Sequence, residues 1–301
     1  MQRSILPRAW IAYTAPWTNA LMLEAVMLAS SSRGNALLIR GGGTALLVDA
    51  GISARSLVAR LEEAGTDPGS LNAVCISHEH RDHIAGLDAL HRRYAIPVYA
   101  NRGTAQGAAR IPGLDRIAWR TFETGSDFRI GALNVHPFAV PHDAYEPVGF
   151  IFECGGARLG VATDLGMPTS LIRARLKGCH GLVLEANHDE RMVRRSGRPL
   201  LLKSRILGRL GHLSNDMAAD LAAELAGPHL QWIILAHLSE ECNERALCER
   251  AMRDRLAQAG CAHVRVEVAR ARAPTPAYRI LMPAASPETE SNPPLTASVE
   301  S

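Results

Sequence analysis

A short polar segment of the sequence concentrates side chains that bind metal ions. Residues 78–83 are His-Glu-His-Arg-Asp-His, so three of the chain's twelve histidines lie within six positions. In an extended loop His78 and His80 would point to the same side, because successive side chains alternate. Asp82 and His83 would then open a helix and face a second point nearby. Imidazole and carboxylate together suit zinc or manganese, which favours a metal site over a solvated polar loop.

These four donors do not complete two metal sites, so further ligands must come from other parts of the chain. His142, Asp164 and His237 each follow an apolar run. Loop residues after such runs gather at one edge of a sheet, which makes these three the candidates. Asp49 ends the run Leu-Leu-Val-Asp. Its carboxylate could orient the histidine loop by hydrogen bonding to a ligand.

The residues around these donors predict alternating strands and helices. Helices are predicted over residues 53–65 and around the regularly spaced Ile84, Leu87, Leu90 and Tyr94. The predicted strands are residues 24–28, 35–40, 44–49, 72–76, 133–140, 148–154 and 159–162, followed by apolar runs at 182–184 and 232–235. Residues 117–163 are mostly β in pattern. Two successive halves of this kind predict an α/β fold, a four-layer αββα sandwich.

The overall composition is that of a folded globular chain. The 301 residues are 47% hydrophobic and 21% charged, which excludes disordered, collagen-like and coiled-coil proteins. We predict an N-terminal extension over residues 1–23 and one globular domain over residues 24–282. Residues 283–301 are rich in Pro, Ser, Thr and Glu with few large apolar side chains, and they predict a disordered C-terminal tail.

Cysteine spacing and hydropathy bear on the compartment. The six cysteines, at positions 75, 154, 179, 242, 248 and 261, form no Cys-x-x-Cys pair and no regular pattern. They therefore predict free thiols in a reducing cytoplasm. No run approaches the roughly 18 apolar residues of a membrane span, so we expect no membrane association.

Positive charge is concentrated in one segment. The formal net charge is only +3, yet residues 191–209 contain seven basic residues and no acidic one. Such clusters attract phosphate backbones, and arginine binds phosphate through two hydrogen bonds. A solvated helical face is the alternative explanation. The position of the segment, between other polar motifs at Glu185 and His212, favours contact with a polyanion.

The order of these motifs resembles the five-motif signature of the metallo-β-lactamase superfamily. Segments 29–35, 141–144, 184–189, 211–215 and 235–239 further resemble its YycJ/WalJ branch, and the likeness covers residues 24–282. The resemblance implies an αββα hydrolase domain with two divalent cations, Zn²⁺ or Mn²⁺. It implies one ion on His78, His80 and His142, a second on Asp82, His83 and His237, and Asp164 bridging both.

The same resemblance implies nuclease activity, including 5′ to 3′ exonuclease activity on DNA. Residues around Glu185 and the Gly-His-Leu-Ser segment at 211–214 are also similar to segments of ribonuclease Z. That similarity implies that His212 and Glu185 are catalytic residues, with His212 assisting phosphate hydrolysis and Glu185 beside it. Asp82 is expected to accept the proton of the attacking water, and His212 to stabilise charge or protonate the leaving oxygen.

These inferences predict a phosphodiesterase acting on nucleic acid, with DNA expected rather than RNA. The expected substrate contacts are His188, Arg194, Arg195, Arg198 and Lys203. The alternative is a hydrolase of small esters, lactones or thioesters, which would use the same metals without needing the basic segment. A metal-poor scaffold protein of this fold is a third reading, and it is disfavoured because all seven ligand candidates are present.

Overall fold

A computed structural model of the chain describes residues 23–282. The predicted N-terminal extension, apart from residue 23, and the predicted disordered tail lie outside the described residues. Residue 23 already belongs to the first strand.

The described residues form two seven-stranded sheets. The first sheet has the order β14-β1-β2-β3-β4-β5-β6 and the second β13-β12-β11-β10-β9-β8-β7. The strands of the first sheet are β1 (Leu23–Ala29), β2 (Ala36–Gly41), β3 (Thr44–Val48), β4 (Ala73–Cys75), β5 (Val98–Asn101), β6 (Arg120–Phe122) and β14 (Tyr278–Ile280). Those of the second are β7 (Phe128–Ile130), β8 (Leu133–Ala139), β9 (Val148–Cys154), β10 (Ala157–Ala162), β11 (Gly181–Glu185), β12 (Trp232–Ala236) and β13 (Arg265–Val268).

Helices connect the strands, and most of them pack on the outer face of a sheet. They are α1 (Ala54–Glu63), α2 (Arg81–Ile84), α3 (Leu87–Tyr94), α4 (Arg102–Ala108), α5 (Ser170–Leu176), α6 (Glu190–Arg195), α7 (Leu200–Ile206), α8 (Asn215–Leu225) and α9 (Arg245–Gln258). None of the helices within residues 23–282 is long and apolar enough to cross a membrane.

The central strands β1, β2, β11 and β12 bury every residue, which explains their mostly apolar sequences. In β9, Phe150 and Phe152 pack between the two sheets, whereas Ile151 packs under the helices of its own sheet. In β2, Ile39 faces the central layer and Leu38 faces the helices of the first sheet. Alternate side chains of one strand therefore pack in two different hydrophobic cores. The predicted αββα sandwich is confirmed.

The helix predicted around Ile84 to Tyr94 is divided in two by Gly86. A Cβ atom at Gly86 would lie 2.1 Å from the carbonyl oxygen of Ile52. The Gly86 N–H also donates a 2.8 Å hydrogen bond to the Ala50 carbonyl oxygen. This close approach ties the histidine loop to the end of β3, and the helical spacing continues on both sides of the break.

Candidate metal centre

Asp49 and the predicted ligands follow strands of both sheets, and all lie in loops except Asp82 and His83, which lie in the short helix α2. The loops follow β3 with Asp49, β4 with residues 78–83, β8 with His142, β10 with Asp164 and β12 with His237. Because β3 and β4 are parallel, as are β10, β11 and β12, these loops emerge at one edge of each sheet. Loops at the C-terminal ends of parallel strands are the usual place for a site in such sheets.

Three of these residues adopt a left-handed backbone conformation. Asp49, Asp164 and His237 have φ values of 63°, 56° and 58°. This conformation costs on the order of 1 kcal/mol for a residue other than glycine, so the surroundings must hold it. The His237 N–H, for example, donates a 2.6 Å hydrogen bond to Ser30 Oγ. The sharp turn after each strand directs these side chains toward one place.

A first cluster consists of His78, His80 and His142, each of which places one ring nitrogen within 4.8 Å of the others. His142 Nε2 lies 3.3 Å from His80 Nδ1. His78 is 1% exposed, and its Nε2 atom has no hydrogen-bond partner among residues 23–282. A buried polar atom without a partner indicates a missing ligand, and here a metal ion supplies the simplest one.

A second cluster consists of Asp82, His83, Asp164 and His237. His83 Nε2 lies 3.4 Å from Asp82 Oδ2 and 3.3 Å from Asp164 Oδ2. His237 Nε2 lies 3.3 Å from Asp82 Oδ2. The Asp164 carboxylate also lies 3.9 Å from His142 Nε2, so it joins the two clusters.

These separations fit four-coordinate divalent ions. Zinc–nitrogen and zinc–oxygen bonds of about 2.0–2.1 Å place neighbouring ligand atoms roughly 3.3 Å apart in a tetrahedron. The donor separations of 3.3–3.4 Å agree with that value. The donor set of imidazoles and carboxylates therefore fits divalent cations at the two clusters.

Each of four histidines in the clusters has one ring nitrogen held by a neighbouring group, which leaves the other for a metal. The contacts are His83 Nδ1 to Asp49 at 2.7 Å, His237 Nδ1 to Glu185 at 2.8 Å, His142 Nδ1 to the Gly211 carbonyl at 3.0 Å and His78 Nδ1 to Ser77 Oγ at 3.0 Å. Such contacts fix the ring orientation and the tautomer. The position of Asp49 agrees with its predicted orienting role.

Charge in the second cluster favours a cation. Burial opposes charge on His237, but the carboxylates of Asp164 and Asp82 outweigh it and raise the pKa of His237 to about 10. Burial likewise opposes charge on His83, and Asp164 and Asp49 raise its pKa well above the ordinary value. Despite burial, the same imidazoles hold the pKa of Asp82 and of Asp164 well below the usual range. The carboxylates remain ionised and attract positive charge to this point.

The first cluster is electrically different. Burial, together with the neighbouring imidazole of His83, lowers the pKa of His78 well below its ordinary value. Burial also lowers the pKa of His142. Both rings are therefore neutral near neutral pH, which is the form of histidine that binds metal.

His212 lies against both clusters. Its ring centroid is 5.1 Å from that of His142 and 5.0 Å from that of His237. Its Nδ1 atom lies 2.9 Å from Glu185 Oε1, and its side chain is 20% exposed. Since Glu185 engages Nδ1, Nε2 is the nitrogen left for a substrate.

Glu185 is fully buried and contacts four groups. Oε1 accepts from His212 and His237, while Oε2 accepts from the backbone N–H groups of Leu165 and Leu213 at 3.1 and 2.9 Å. Burial would raise the pKa of Glu185, but His212 and His237 lower it to about 2. At 0% exposure Glu185 does not reach a substrate. Its position supports a positioning role instead of the catalytic role expected from the sequence.

Glu185→Gln is expected to weaken metal binding by about 10- to 100-fold, the usual effect of losing such a supporting contact. The glutamine NH₂ group would face His237 Nδ1 and favour the tautomer that carries its proton on Nε2, where the metal should bind. Metal affinity measured by competition with a chelator tests this. Glu153→Gln, at a partly exposed carboxylate that pairs with Arg158, is the control. Equal affinity in both variants would contradict the positioning role.

Asn35 is a site residue that the sequence reasoning did not select. Its Nδ2 atom lies 3.3 Å from both Asp82 Oδ2 and His83 Nε2, and its backbone N–H donates to the Asp82 carbonyl oxygen at 2.8 Å. The Ser-Ser-Ser-Arg-Gly-Asn turn thus fastens the histidine loop. That turn belongs to segment 29–35, which resembles the family, so the sequence did mark it. The sequence did not reveal that Asn35 contacts Asp82, which lies 47 positions further along the chain.

The predicted substrate contacts occupy different environments. Arg194 and Arg195 are exposed on α6, and Arg194 pairs with Glu190 at 3.3 Å. Arg198 pairs with Glu241 at 3.0 Å. The Lys203 Nζ atom donates to the Arg194 carbonyl oxygen at 2.9 Å. Acidic partners therefore neutralise part of the basic segment.

The positions of His188 and Arg205 differ from the expected set of substrate contacts. His188 is 1% exposed, so its position does not support the expected substrate contact. Arg205, which was not selected as a contact, pairs with Asp143, the residue after His142. This ion pair joins α7 to the rim of the first cluster.

Comparisons with known proteins agree with this geometry. A sequence model of the Beta-lactamase superfamily domain matches residues 44–237. The chain is 34% identical over 235 residues to Exodeoxyribonuclease YycJ of Bacillus anthracis, covering 78% of this chain and 89% of that protein. It is 35% identical over 236 residues to Exodeoxyribonuclease WalJ of Streptococcus pneumoniae, covering 77% and 88%.

The fold also matches solved structures. The metallo-β-lactamase fold protein YhfI from Bacillus subtilis aligns with a TM-score of 0.65 at 15% identity, over 84% of this chain and 98% of that one. The fold and the family predicted from the motifs are both confirmed. The chain therefore belongs to the metallo-β-lactamase superfamily of metal-dependent hydrolases and, within it, to the branch of YycJ and WalJ.

Proposed function

We propose that this protein is a DNA exonuclease that uses two divalent cations, Zn²⁺ or Mn²⁺, to hydrolyse phosphodiesters. The observation that carries the proposal is the Arg205–Asp143 ion pair, which joins the basic segment to the rim of the candidate metal centre. A polyanion held by that segment would pass directly over the clusters. The names of the YycJ and WalJ relatives, both exodeoxyribonucleases, support DNA as the polymer.

In this proposal His78, His80 and His142 hold one ion, and Asp82, His83 and His237 hold the other. Asp164 contributes to both, because its carboxylate contacts each cluster. When bound, such a pair of ions polarises a phosphoryl oxygen, lowers the pKa of water and stabilises the attacking and leaving oxygens.

The protein's own groups complete the proposed chemistry. Asp82, 23% exposed in its side chain, would accept the proton of the attacking water. His212 would protonate the departing oxygen or stabilise charge on the phosphorus centre, and Glu185 would hold its ring in place. We further propose that residues 24–282 form the whole hydrolase domain and that the enzyme acts in the cytoplasm. The six free cysteine thiols fit a reducing compartment.

The direct test uses purified protein supplied with Mn²⁺ or Zn²⁺. Its substrates are end-labelled duplex DNA, single-stranded DNA, precursor tRNA and a panel of lactones and thioesters. Stepwise shortening of DNA from one end is the expected result. Turnover of the small esters alone, with no shortening of any polynucleotide, would overturn the proposal and favour the ester-hydrolase alternative.

Combined replacement of Arg194, Arg195 and Arg198 by Gln is expected to weaken DNA binding and its dependence on salt. The slope of log affinity against log salt should become shallower by up to about 0.9 per lost contact on duplex DNA and about 0.7 on single strands. Filter binding at several salt concentrations measures the slope.

The control for this variant is the matched triple replacement of Arg250, Arg253 and Arg255 by Gln. These arginines are exposed on α9, which packs beside α8 and β13, and they lie outside the basic segment of residues 191–209. A slope that changes equally in both variants, or in neither, would mean that the α6 arginines are a solvated surface without a specific role in binding.

A further inference from the structure

Tyr145 is an exposed aromatic residue beside the candidate metal centre. It follows His142 by three positions, and its side chain is not buried, since the residue is 51% exposed. Among the large hydrophobic side chains that are exposed within residues 23–282, it is the one aromatic ring. Exposure of an aromatic ring beside a site is a common feature of surfaces that bind planar ligands.

The backbone of Tyr145 is held by the histidine loop. Its N–H donates a 3.0 Å hydrogen bond to Glu79 Oε1, and Glu79 stands between the candidate ligands His78 and His80. The backbone from which the ring projects is thereby held beside the first cluster.

The residue after Tyr145 is anchored as well. The carboxylate of Glu146 accepts from the Gly103 N–H at 2.9 Å and from Thr124 Oγ1 at 2.6 Å. Its carbonyl oxygen accepts from Asn101 Nδ2 at 2.6 Å. Tyr145 therefore projects from a rigid segment, and its exposure does not result from a loose loop.

Two neighbours from α4 and its C-terminal turn shape the surroundings of the ring. A Cβ atom at Gly107 would lie 2.8 Å from Tyr145 Cδ2 and 2.7 Å from Glu79 Cγ, so only glycine allows this packing. The exposed Arg110 places its Cζ atom 5.0 Å from the centre of the Tyr145 ring. The guanidinium lies within the distance of a cation–π contact and adds positive charge beside the ring.

We propose that Tyr145 and Arg110 form a stacking platform for a nucleobase next to the scissile phosphate. The inference rests on the proposed nuclease function and adds a binding position for the base. An aromatic face binds any base, because every base has a π-face, and Arg110 can contact the phosphate that accompanies it. The platform lies on the Glu79 side of the centre, whereas the basic segment meets the rim through Arg205 and Asp143. A polynucleotide crossing the centre would contact both.

The test compares Tyr145→Ala with the parent in equilibrium binding and in cleavage. Two oligonucleotides are used, one with normal bases and one with abasic sites at the terminal nucleotides. Loss of one stacking contact is expected to weaken affinity for the normal oligonucleotide, and raise its KM, by about 5- to 150-fold. The abasic oligonucleotide should show little difference between parent and variant. Tyr145→Phe keeps the ring and is expected to restore most of the affinity.

A control separates stacking from general damage to the fold. Tyr94 forms a similar cation–π pair, with Arg93 Cζ 5.2 Å from the centre of its ring. It is the last residue of α3, about 10 Å from the start of that helix at Leu87, which is the end closer in sequence to the histidine loop. Tyr94→Ala should bind both oligonucleotides as the parent does. Metal content and melting temperature are measured for all variants.

Three outcomes distinguish the inference from the proposed function. A selective loss on normal bases supports the platform. Equal weakening on both oligonucleotides, or no weakening, overturns the platform while DNA cleavage by the parent upholds the nuclease. A parent that neither binds nor cleaves either oligonucleotide overturns both.

Discussion

Replacement of Asp164 by Asn is expected to reduce hydrolysis on the order of 10³-fold or more and to lower the bound metal below two ions per chain. The Asp164 carboxylate lies 3.3 Å from His83 Nε2 and 3.9 Å from His142 Nε2, so it contacts both clusters. An amide oxygen is uncharged, and its nitrogen cannot bind a cation. Two-ion catalysis supplies several kcal/mol of transition-state stabilisation, and each 1.36 kcal/mol corresponds to a tenfold change in rate.

Asparagine is the informative substitution because it preserves the backbone. Asp164 has a φ of 56°, and asparagine tolerates this left-handed conformation, whereas alanine would add strain. Metal analysis after gel filtration, together with kcat on DNA, measures the effect. Asp88→Asn on α3, where the carboxylate pairs with Arg92 at 3.0 Å, is the control. If Asp164→Asn kept two equivalents of metal and normal turnover, the shared-ligand assignment would be wrong.

The sequence predicted the long central strands better than the sheet edges. The strand Val148–Cys154 was predicted with its observed bounds, because both of its faces pack in apolar layers and only Glu153 interrupts its apolar sequence. The edge strands β6, β7, β13 and β14 have only three or four residues each. Such short segments carry too little periodicity for assignment, since their strand structure depends on pairing with a distant neighbour. The sequence placed β6 and β7 only within a broadly β-rich region, and β13 and β14 were not predicted.

Candidate ligands were easier to predict than the groups that hold them. A polar residue directly after an apolar run predicted Asp49, Asp164 and His237, and each lies at such a strand end. The left-handed turns and the backbone carbonyl that holds His142 are not encoded in any local pattern. Arg205 was missed for the same reason, since its partner Asp143 is 62 positions away. Contacts of this kind appear only when the two sheets are assembled.

Replacement of His212 by Ala is expected to slow phosphodiester cleavage by roughly 10²- to 10⁴-fold while both metal ions stay bound. His212 Nδ1 lies 3.9 Å from Asp164 Oδ1 and is engaged by Glu185 at 2.9 Å, so His212 is not needed as a ligand. Metal analysis checks that expectation. His229→Ala, at an exposed histidine that neighbours His180, should change neither metal content nor rate.

The leaving group decides which role His212 has. If His212 protonates the departing oxygen, its loss should be severe for DNA, whose alkoxide leaves poorly, and slight for a p-nitrophenyl phosphodiester, whose phenolate leaves without a proton. If His212 instead stabilises charge around phosphorus, both substrates should lose activity by a similar factor, because both develop that charge. The buried Glu185 carboxylate, which contacts His212 Nδ1 at 2.9 Å, suits either role by holding the ring in place. An intact, metal-loaded His212→Ala enzyme with normal rates on both substrates would remove this residue from the reaction. The two cations and Asp82 would then be the groups that carry out hydrolysis.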